Sequence, residues 1–278
     1  MVRGITMLAS KWLYEFMLFI FMFSIFGYFI DFIKHNPRVN KLSLYLLSFV
    51  WFIQTSILLR QMIIEKSFPI INLQDGLFFY SWILVIISLI VNYLFRVHFV
   101  VLFMNVFSFF ILLLSLSMNA TTVTQGQASE FIHEILIIHI TLALLSYGFF
   151  TLSFIFAFMY LLQYYLLKQK KGLKFVWRFN DLEKLDTYSF YSILIGVPLL
   201  SIGLLFGVVW AYVAEATFYW TDIKTVGSLI VLSIYILYLI VRLTKGYQGK
   251  PISRFNCGAF LFLLINFFLL GSFSDFHF

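Results

Sequence analysis

Two histidines from distant parts of the chain have side chains that could act as a pair. His139 lies near the start of a long apolar segment, and His277 is the next-to-last residue. The charge distribution described below predicts both on the outer side of a membrane. Two neutral imidazoles facing each other are the usual axial ligands of a low-spin haem iron. The alternative is that His139 hydrogen-bonds a neighbouring helix and His277 belongs to a frayed chain end.

Aromatic and charged residues are concentrated between positions 210 and 224, on the same predicted side as the two histidines. This segment contains Trp210, Tyr212, Phe218, Tyr219, Trp220, Asp222 and Lys224. Trp and Tyr at a membrane surface normally form an interfacial belt. They could equally form a flat wall for a planar apolar ligand such as haem, with Lys224 near its carboxylates. Both interpretations fit the composition of this segment.

The composition indicates that lipid is the solvent for much of the chain. The 278 residues are 62% hydrophobic and 11% charged, whereas soluble domains carry about 25% charged residues. The apolar runs are long and unbroken, which favours helices over the alternating segments of a barrel. We therefore expect an all-α polytopic bundle forming a single membrane domain, residues 1–278. A net charge of +7 suits cytoplasmic loops and does not indicate nucleic acid as a partner.

Eight segments have the length and hydropathy of membrane spans. They cover residues 13–33, 42–59, 77–95, 97–117, 135–165, 190–211, 225–242 and 256–273. If the loops after spans 1, 3, 5 and 7 share one side, that side holds 14 of the 19 Lys and Arg residues. The positive-inside rule makes that side cytoplasmic. We therefore predict a multi-pass protein of the cell (plasma or inner) membrane with both termini outside.

Helical spacing predicts which sides of spans 5 and 6 face other helices. At 100° per residue, His139, Ala143, Ser146, Phe150 and Ser153 fall on one stripe of span 5. On span 6, Gly196, Gly203 and Gly207 share a face, with Trp210 close to it at the outer end. Small and polar residues on a membrane helix face other helices. His139 should therefore point into the bundle.

The segment 166–188 is predicted to be a long cytoplasmic loop. It is basic and then mixed in charge, so it could bind anionic lipid or a cytosolic partner. The alternative is a solvated loop whose basic residues only set the orientation. The single cysteine, Cys257, excludes an internal disulfide and a zinc site built on cysteines.

Residues 182–245 resemble the tryptophan-rich region of the cytochrome c assembly family, which includes CcsA. The matching residues are Leu185-Asp186, Tyr188 or Tyr191, Gly196, Gly203, Gly207, Trp210-Ala211, Tyr219-Trp220, Asp222, Lys224 and Arg242. Residues 137–148 resemble the family's histidine-centred span, and residues 274–278 lie where the family places a second outer histidine. The convincing resemblance covers about residues 131–278. It implies haem as cofactor, with His139 and His277 as metal ligands and Trp210, Tyr219, Trp220, Asp222 and Lys224 around it.

The departures from the family pattern point to its HemX branch. Ile223 and Thr225 stand where the synthase branch has Pro and Glu, and Ile240 aligns with a membrane-embedded histidine of that branch. The HemX resemblance implies a haem-pathway membrane protein that is not an enzyme and lowers the level of glutamyl-tRNA reductase. Because the 166–188 loop is the long soluble segment on the predicted cytoplasmic side, we expect it to contact this enzyme. The alternatives are a cytochrome c synthase component that delivers haem, and a transporter or scaffold with a vestigial haem site.

Overall fold

The computed structural model describes residues 2–34, 36–65, 73–95, 98–117, 130–170, 181–214 and 222–270. Within these ranges the chain forms eight α-helices and one π-helical turn. The helices are α1 (Val2–Lys34), α2 (Pro37–Glu65), α3 (Leu73–Phe95), α4 (His98–Ser117), α5 (Glu130–Lys168), α6 (Leu182–Val213), α7 (Ile223–Lys245) and α8 (Lys250–Ile265), and the π turn is Asn266–Leu270. The predicted all-α class is confirmed.

The helices group into two compact units, Met1–Ala120 and Thr121–Phe278. In the first unit, α1 and α3 each pack against α2 and α4. Ser81 and Ser108 exchange hydrogen bonds between α3 and α4, each hydroxyl donating to the other's carbonyl oxygen at 3.2 and 3.0 Å. Gln54 of α2 donates to the Ser81 hydroxyl at 3.3 Å. Buried polar contacts of this kind join helices where the hydrophobic effect between them is weak.

The second unit contains α5 to α8 and the π turn. Here α5 and α7 each pack against α6 and α8. Ser153 of α5 and Ser189 of α6 again exchange hydroxyl-to-carbonyl bonds, at 2.8 and 3.1 Å. Asn256 of α8 donates to both hydroxyls, at 2.7 and 3.0 Å. One buried polar cluster therefore ties three of the four helices together.

All eight helices contain a segment long and apolar enough to cross a membrane, among the residues that the structure describes. The prediction of eight spans is therefore confirmed. The 39 residues of α5 measure about 58 Å at 1.5 Å per residue, nearly twice a hydrocarbon core of about 30 Å. Part of α5 must therefore extend beyond the hydrocarbon.

Several helices are longer than the predicted apolar spans. The helix α2 ends at Glu65 rather than 59, α6 begins at Leu182 rather than 190, and α8 begins at Lys250 rather than 256. Helical structure continues through polar flanks that a hydropathy window leaves out. The predicted 166–188 loop is correspondingly shorter, because residues up to Lys168 and from Leu182 are helical. Residues 171–180 lie outside the described part of the chain.

Candidate functional site

A hydrogen bond to α6 holds the ring of His139. Its Nδ1 lies 2.7 Å from the carbonyl oxygen of Gly203. A carbonyl oxygen only accepts, so Nδ1 must carry the hydrogen and donate it. In the neutral ring the lone pair is then on Nε2. Metal-ligating histidines usually have this arrangement, with the second ring nitrogen donating to a backbone carbonyl or carboxylate.

Glycines make this position of His139 possible. A Cβ on Gly207 would lie 2.8 Å from both Cε1 and Nδ1 of the His139 ring. A Cβ on Gly203 would lie 3.3 Å from the backbone nitrogen of Ala143. The imidazole therefore occupies space that any larger residue at 207 would fill, and α5 and α6 approach closely at both glycines.

The predicted stripe on α5 packs against the predicted glycine face of α6, which confirms that both faces contact other helices. Ser146 donates to the carbonyl of Gly196 at 2.8 Å. A Cβ on Gly196 would lie 2.6 Å from the ring of Phe150, which stacks on Tyr235 of α7 with centroids 3.8 Å apart. Together with the Ser153–Ser189 bonds, these contacts continue the α5–α6 interface along the stripe that begins at His139.

The end of α6 and the start of α7 lie at the same end of the second unit as His139. Trp210 follows Gly207 by about one helical turn and is partly buried, whereas Tyr212 is 86% exposed. Lys224, in the first turn of α7, is partly buried. The described site thus combines an imidazole, an indole and an ammonium group.

Asp222 has a structural role at this end of the unit. Its carboxylate accepts hydrogen bonds from the backbone nitrogens of Lys224 and Thr225, at 3.0 and 3.1 Å, and so caps α7. Asp is a preferred N-cap residue. Its position immediately before an apolar run was a sequence signal for this role.

Three predicted site residues, Tyr219, Trp220 and His277, lie outside the described residues. The side chain of His133 also lies outside them. The pairing of His139 with His277 and the aromatic wall around them therefore stay predictions.

The sequence reasoning missed an ion pair at the opposite end of α6. Arg242 of α7 donates to both carboxylate oxygens of Asp186, at 3.1 and 2.7 Å. The two side chains are only 9% and 8% exposed. The backbone nitrogen of Gly249 also donates to Asp186, at 3.2 Å, and the Arg242 guanidinium lies 4.7 Å from the centre of the Phe190 ring. The charge of each residue was a sequence signal that it has a partner, because ionisable residues inside membrane spans are almost always paired.

A second missed contact lies near the end of α8. Asn266 donates to the hydroxyls of Ser228 and Tyr147, at 3.2 and 3.5 Å. An amide in an apolar span commonly marks an interhelical hydrogen bond, and this signal was present in the sequence. The two asparagines, Asn256 and Asn266, thus join α8 and its π turn to α5, α6 and α7.

The fold and the motif residues agree with one protein family. The profile of the cytochrome c assembly protein family matches residues 70–277. The chain belongs to this family of multi-pass membrane proteins. The match begins well before residue 131, where the resemblance was expected to start, so it also includes α3 and α4.

Relatives within this family are similar over almost the whole chain. Protein HemX of Bacillus subtilis (strain 168) is 45% identical over 262 residues, which cover 93% of this chain and 94% of that protein. Protein HemX of Brevibacillus brevis is 36% identical over 97% of this chain and 99% of its own length. Cytochrome c biogenesis protein CcsA of Chlamydomonas reinhardtii is 32% identical over 74% of this chain and 59% of its own length. The recognised resemblance to HemX is confirmed.

Proposed function

We propose that this membrane protein binds haem at the outer end of its second unit and lowers the level of glutamyl-tRNA reductase without catalysing a reaction itself. Family membership and the near full-length similarity to two proteins named HemX support a role in the haem pathway. The hydrogen bond from His139 Nδ1 to Gly203 carries the haem assignment. It fixes the hydrogen of the neutral ring on Nδ1, the tautomer that metal-ligating histidines usually have.

The described residues at this end, His139, Trp210 and Lys224, fit a haem group chemically. A bound haem would supply an iron, an apolar ring and two carboxylates. We propose that His139 and His277 would hold the iron and that Trp210, Tyr219 and Trp220 would cover the ring. Lys224 carries the positive charge suited to a carboxylate. Asp222 acts indirectly, because its cap fixes the first turn of α7 that presents Lys224.

The regulatory role is favoured over cytochrome c synthesis by the same departures that mark the HemX branch. Ile223 and Thr225 replace the Pro and Glu of the synthase pattern. Ile240, aligned with a membrane-embedded histidine, has an aliphatic side chain that is 50% exposed. The similarity to CcsA proteins supports synthesis as the second candidate. A transporter or scaffold with a vestigial site is the third.

Absorption spectra of the purified protein test haem ligation. Loss of one axial imidazole in His139→Ala or His277→Ala should convert a six-coordinate spectrum to a five-coordinate one, or lower the haem content. His133→Ala is the control, because six residues of helix place it about 120° from His139. Equal haem content and equal spectra in wild type, His139→Ala and His277→Ala would refute the ligand assignment. Absence of haem from every preparation would support the vestigial site.

Gene deletion separates regulation from synthesis. Excess glutamyl-tRNA reductase and porphyrin after deletion would support the regulatory role, whereas loss of c-type cytochromes would support synthesis.

Within the regulatory role, we propose that the 166–188 segment contacts the reductase or its degradation machinery. Replacing Lys170, Lys171 and Lys174 together with Glu should then raise reductase levels while the protein remains inserted. Lys245→Glu, at the same end of the second unit, is the control. Unchanged reductase in the triple variant would remove this segment from the mechanism.

A further inference from the structure

Cations surround one tyrosine hydroxyl at the end of the second unit opposite His139. The Arg254 guanidinium of α8 lies 6.0 Å from the centre of the Tyr165 ring of α5, and Lys168 follows Tyr165 by three residues on the same helix. The Lys250 ammonium lies 5.5 Å from the centre of the Tyr165 ring and 5.2 Å from that of Tyr164. The cluster joins the last turn of α5 to the first turns of α8, and it contains three positive charges around one phenol.

The hydrogen bond in this cluster leaves a donor for an anion. Arg254 Nη2 donates to the Tyr165 oxygen, so the phenolic hydrogen is not used in that bond. Tyr165 is 37% exposed, and Lys168 and Arg254 are exposed as well. An anion at this point would meet a hydroxyl donor together with ammonium and guanidinium groups, a combination that suits a phosphate.

The position of Lys250 is fixed by the buried ion pair. The carboxylate of Asp186 accepts from Arg242 and from the backbone of Gly249, the residue before Lys250. Gly249 adopts φ 72°, and a Cβ there would lie 2.6 Å from the Tyr160 hydroxyl. The start of α8 is therefore anchored independently of any ligand, which lowers the ordering cost of binding at Lys250 and Arg254.

An apolar surface continues from the cluster along the outward faces of α5 and α8. Phe158 lies two turns before Tyr165 and is 39% exposed, and Leu261 lies two turns after Arg254 and is 58% exposed. Between Arg254 and Leu261 on α8, Gly258 is exposed and a Cβ there would meet nothing within 4 Å, so the helix backbone is open to a bound chain at this point. The cationic cluster thus lies at the head of an exposed apolar seam of membrane-spanning helices.

We propose that the cluster and seam form a binding site for one anionic phospholipid, with the phosphate at Tyr165, Lys250, Arg254 and Lys168 and an acyl chain over Gly258. Charge complementarity selects the anionic headgroup, and the seam selects a lipid over a soluble anion. This end of the unit is also predicted to be cytoplasmic, where anionic lipids give the membrane surface its negative potential.

Native mass spectrometry of the full chain released from phosphatidylcholine vesicles containing a minor share of phosphatidylglycerol tests this site. Wild type should retain phosphatidylglycerol. The double variant Lys250→Gln with Arg254→Gln should lower its affinity by about 25-fold, at about fivefold per basic residue. The matched control is Lys184→Gln with Lys245→Gln, which removes the same charge at the same end and should bind like wild type.

Two further variants test the hydroxyl and the seam while keeping every charge. Tyr165→Phe removes one charge-assisted hydrogen bond and should lower affinity by about tenfold. Gly258→Leu covers the exposed backbone with a bulky side chain and should lower affinity by about threefold, because the acyl chain loses dispersion contacts with the helix. Equal retention by all variants, or equal loss in the control, would overturn the site. Two results would show a site for free anions and overturn the lipid assignment. One is that Gly258→Leu retains phosphatidylglycerol as well as wild type does. The other is that inorganic phosphate displaces the lipid when both are present at the same concentration.

Discussion

Replacing Gly207 with alanine would put a methyl group where the His139 imidazole lies. The new Cβ would be 2.8 Å from Cε1 and Nδ1, whereas carbon atoms in ordinary contact are about 3.5–4.0 Å apart. The ring must therefore move by about 0.7 Å or more. Its bond to Gly203 is 2.7 Å long, so that movement stretches it beyond the roughly 3.2 Å limit of a good hydrogen bond. Overpacking of this kind costs about 1–3 kcal/mol.

Gly258→Ala is the matched control for Gly207→Ala. Both substitutions gain the helix propensity of alanine, worth up to about 1 kcal/mol, but the methyl at 258 meets nothing within 4 Å. The free energy of unfolding should therefore be about 1–3 kcal/mol lower for Gly207→Ala than for Gly258→Ala. Detergent-induced unfolding followed by tryptophan fluorescence measures this difference. Haem spectra of the same samples report separately on the proposed ligand.

Equal unfolding free energies for the two alanine variants would refute the packing argument, whatever the spectra show. If Gly207→Ala is destabilised but has the haem spectrum of wild type, the packing argument is supported and His139 is not a haem ligand. The two outcomes separate what the structure describes from what is proposed for the site.

Three other predictions concern the second unit and the topology. Asp186→Ala leaves Arg242 as a buried unpaired charge and should lower the unfolding free energy by about 3 kcal/mol or more. The control is Asp181→Ala, which breaks the exposed pair of Asp181 (75% exposed) with Lys184 (59% exposed) and should cost less than about 1 kcal/mol. Equal costs for the two variants would contradict the contribution of the buried pair. Asn256→Leu removes the bonds to Ser153 and Ser189 and should cost about 1–2 kcal/mol, at about 0.6 kcal/mol for each membrane hydrogen bond, and a neutral result would show that packing alone joins these helices. A reporter fused to the C-terminus should be active outside the cytoplasm, and cytoplasmic activity would reverse the predicted orientation.

The helices and the α5–α6 interface could be predicted because each depends on a local pattern. Apolar length defines a span, and helical period places His139 and Ser153 on one side of α5. Glycines at 203 and 207 mark a close approach without naming the partner. The helix ends were less predictable, because the first turns of α6 and α8 are polar yet helical.

The tertiary partners of single polar residues could not be read from the sequence. Asp186 and Arg242 are separated by 56 residues, and nothing in either local pattern selects the other. The same holds for Asn256, whose partners are 103 and 67 residues away. Such pairings depend on how four helices are arranged, which periodicity within each helix does not determine. The division of the chain into two compact units also depends on how the helices are arranged, so it could not be predicted from the sequence either.

The sequence separations within the second unit also suggest an order of events during biosynthesis. The bond between His139 and Gly203 needs only α5 and α6, which are complete once residue 213 has been made. Asp186 emerges 56 residues before Arg242 and 63 before Gly249. Its carboxylate is therefore inserted before either partner has been synthesised. The free-energy cost of burying this charge is offset only after α7 and the start of α8 have followed. The α5–α6 pair can thus form while the ribosome is still synthesising the rest of the unit. Closure around Asp186 follows, and the contacts of Asn256 and Asn266 come later still.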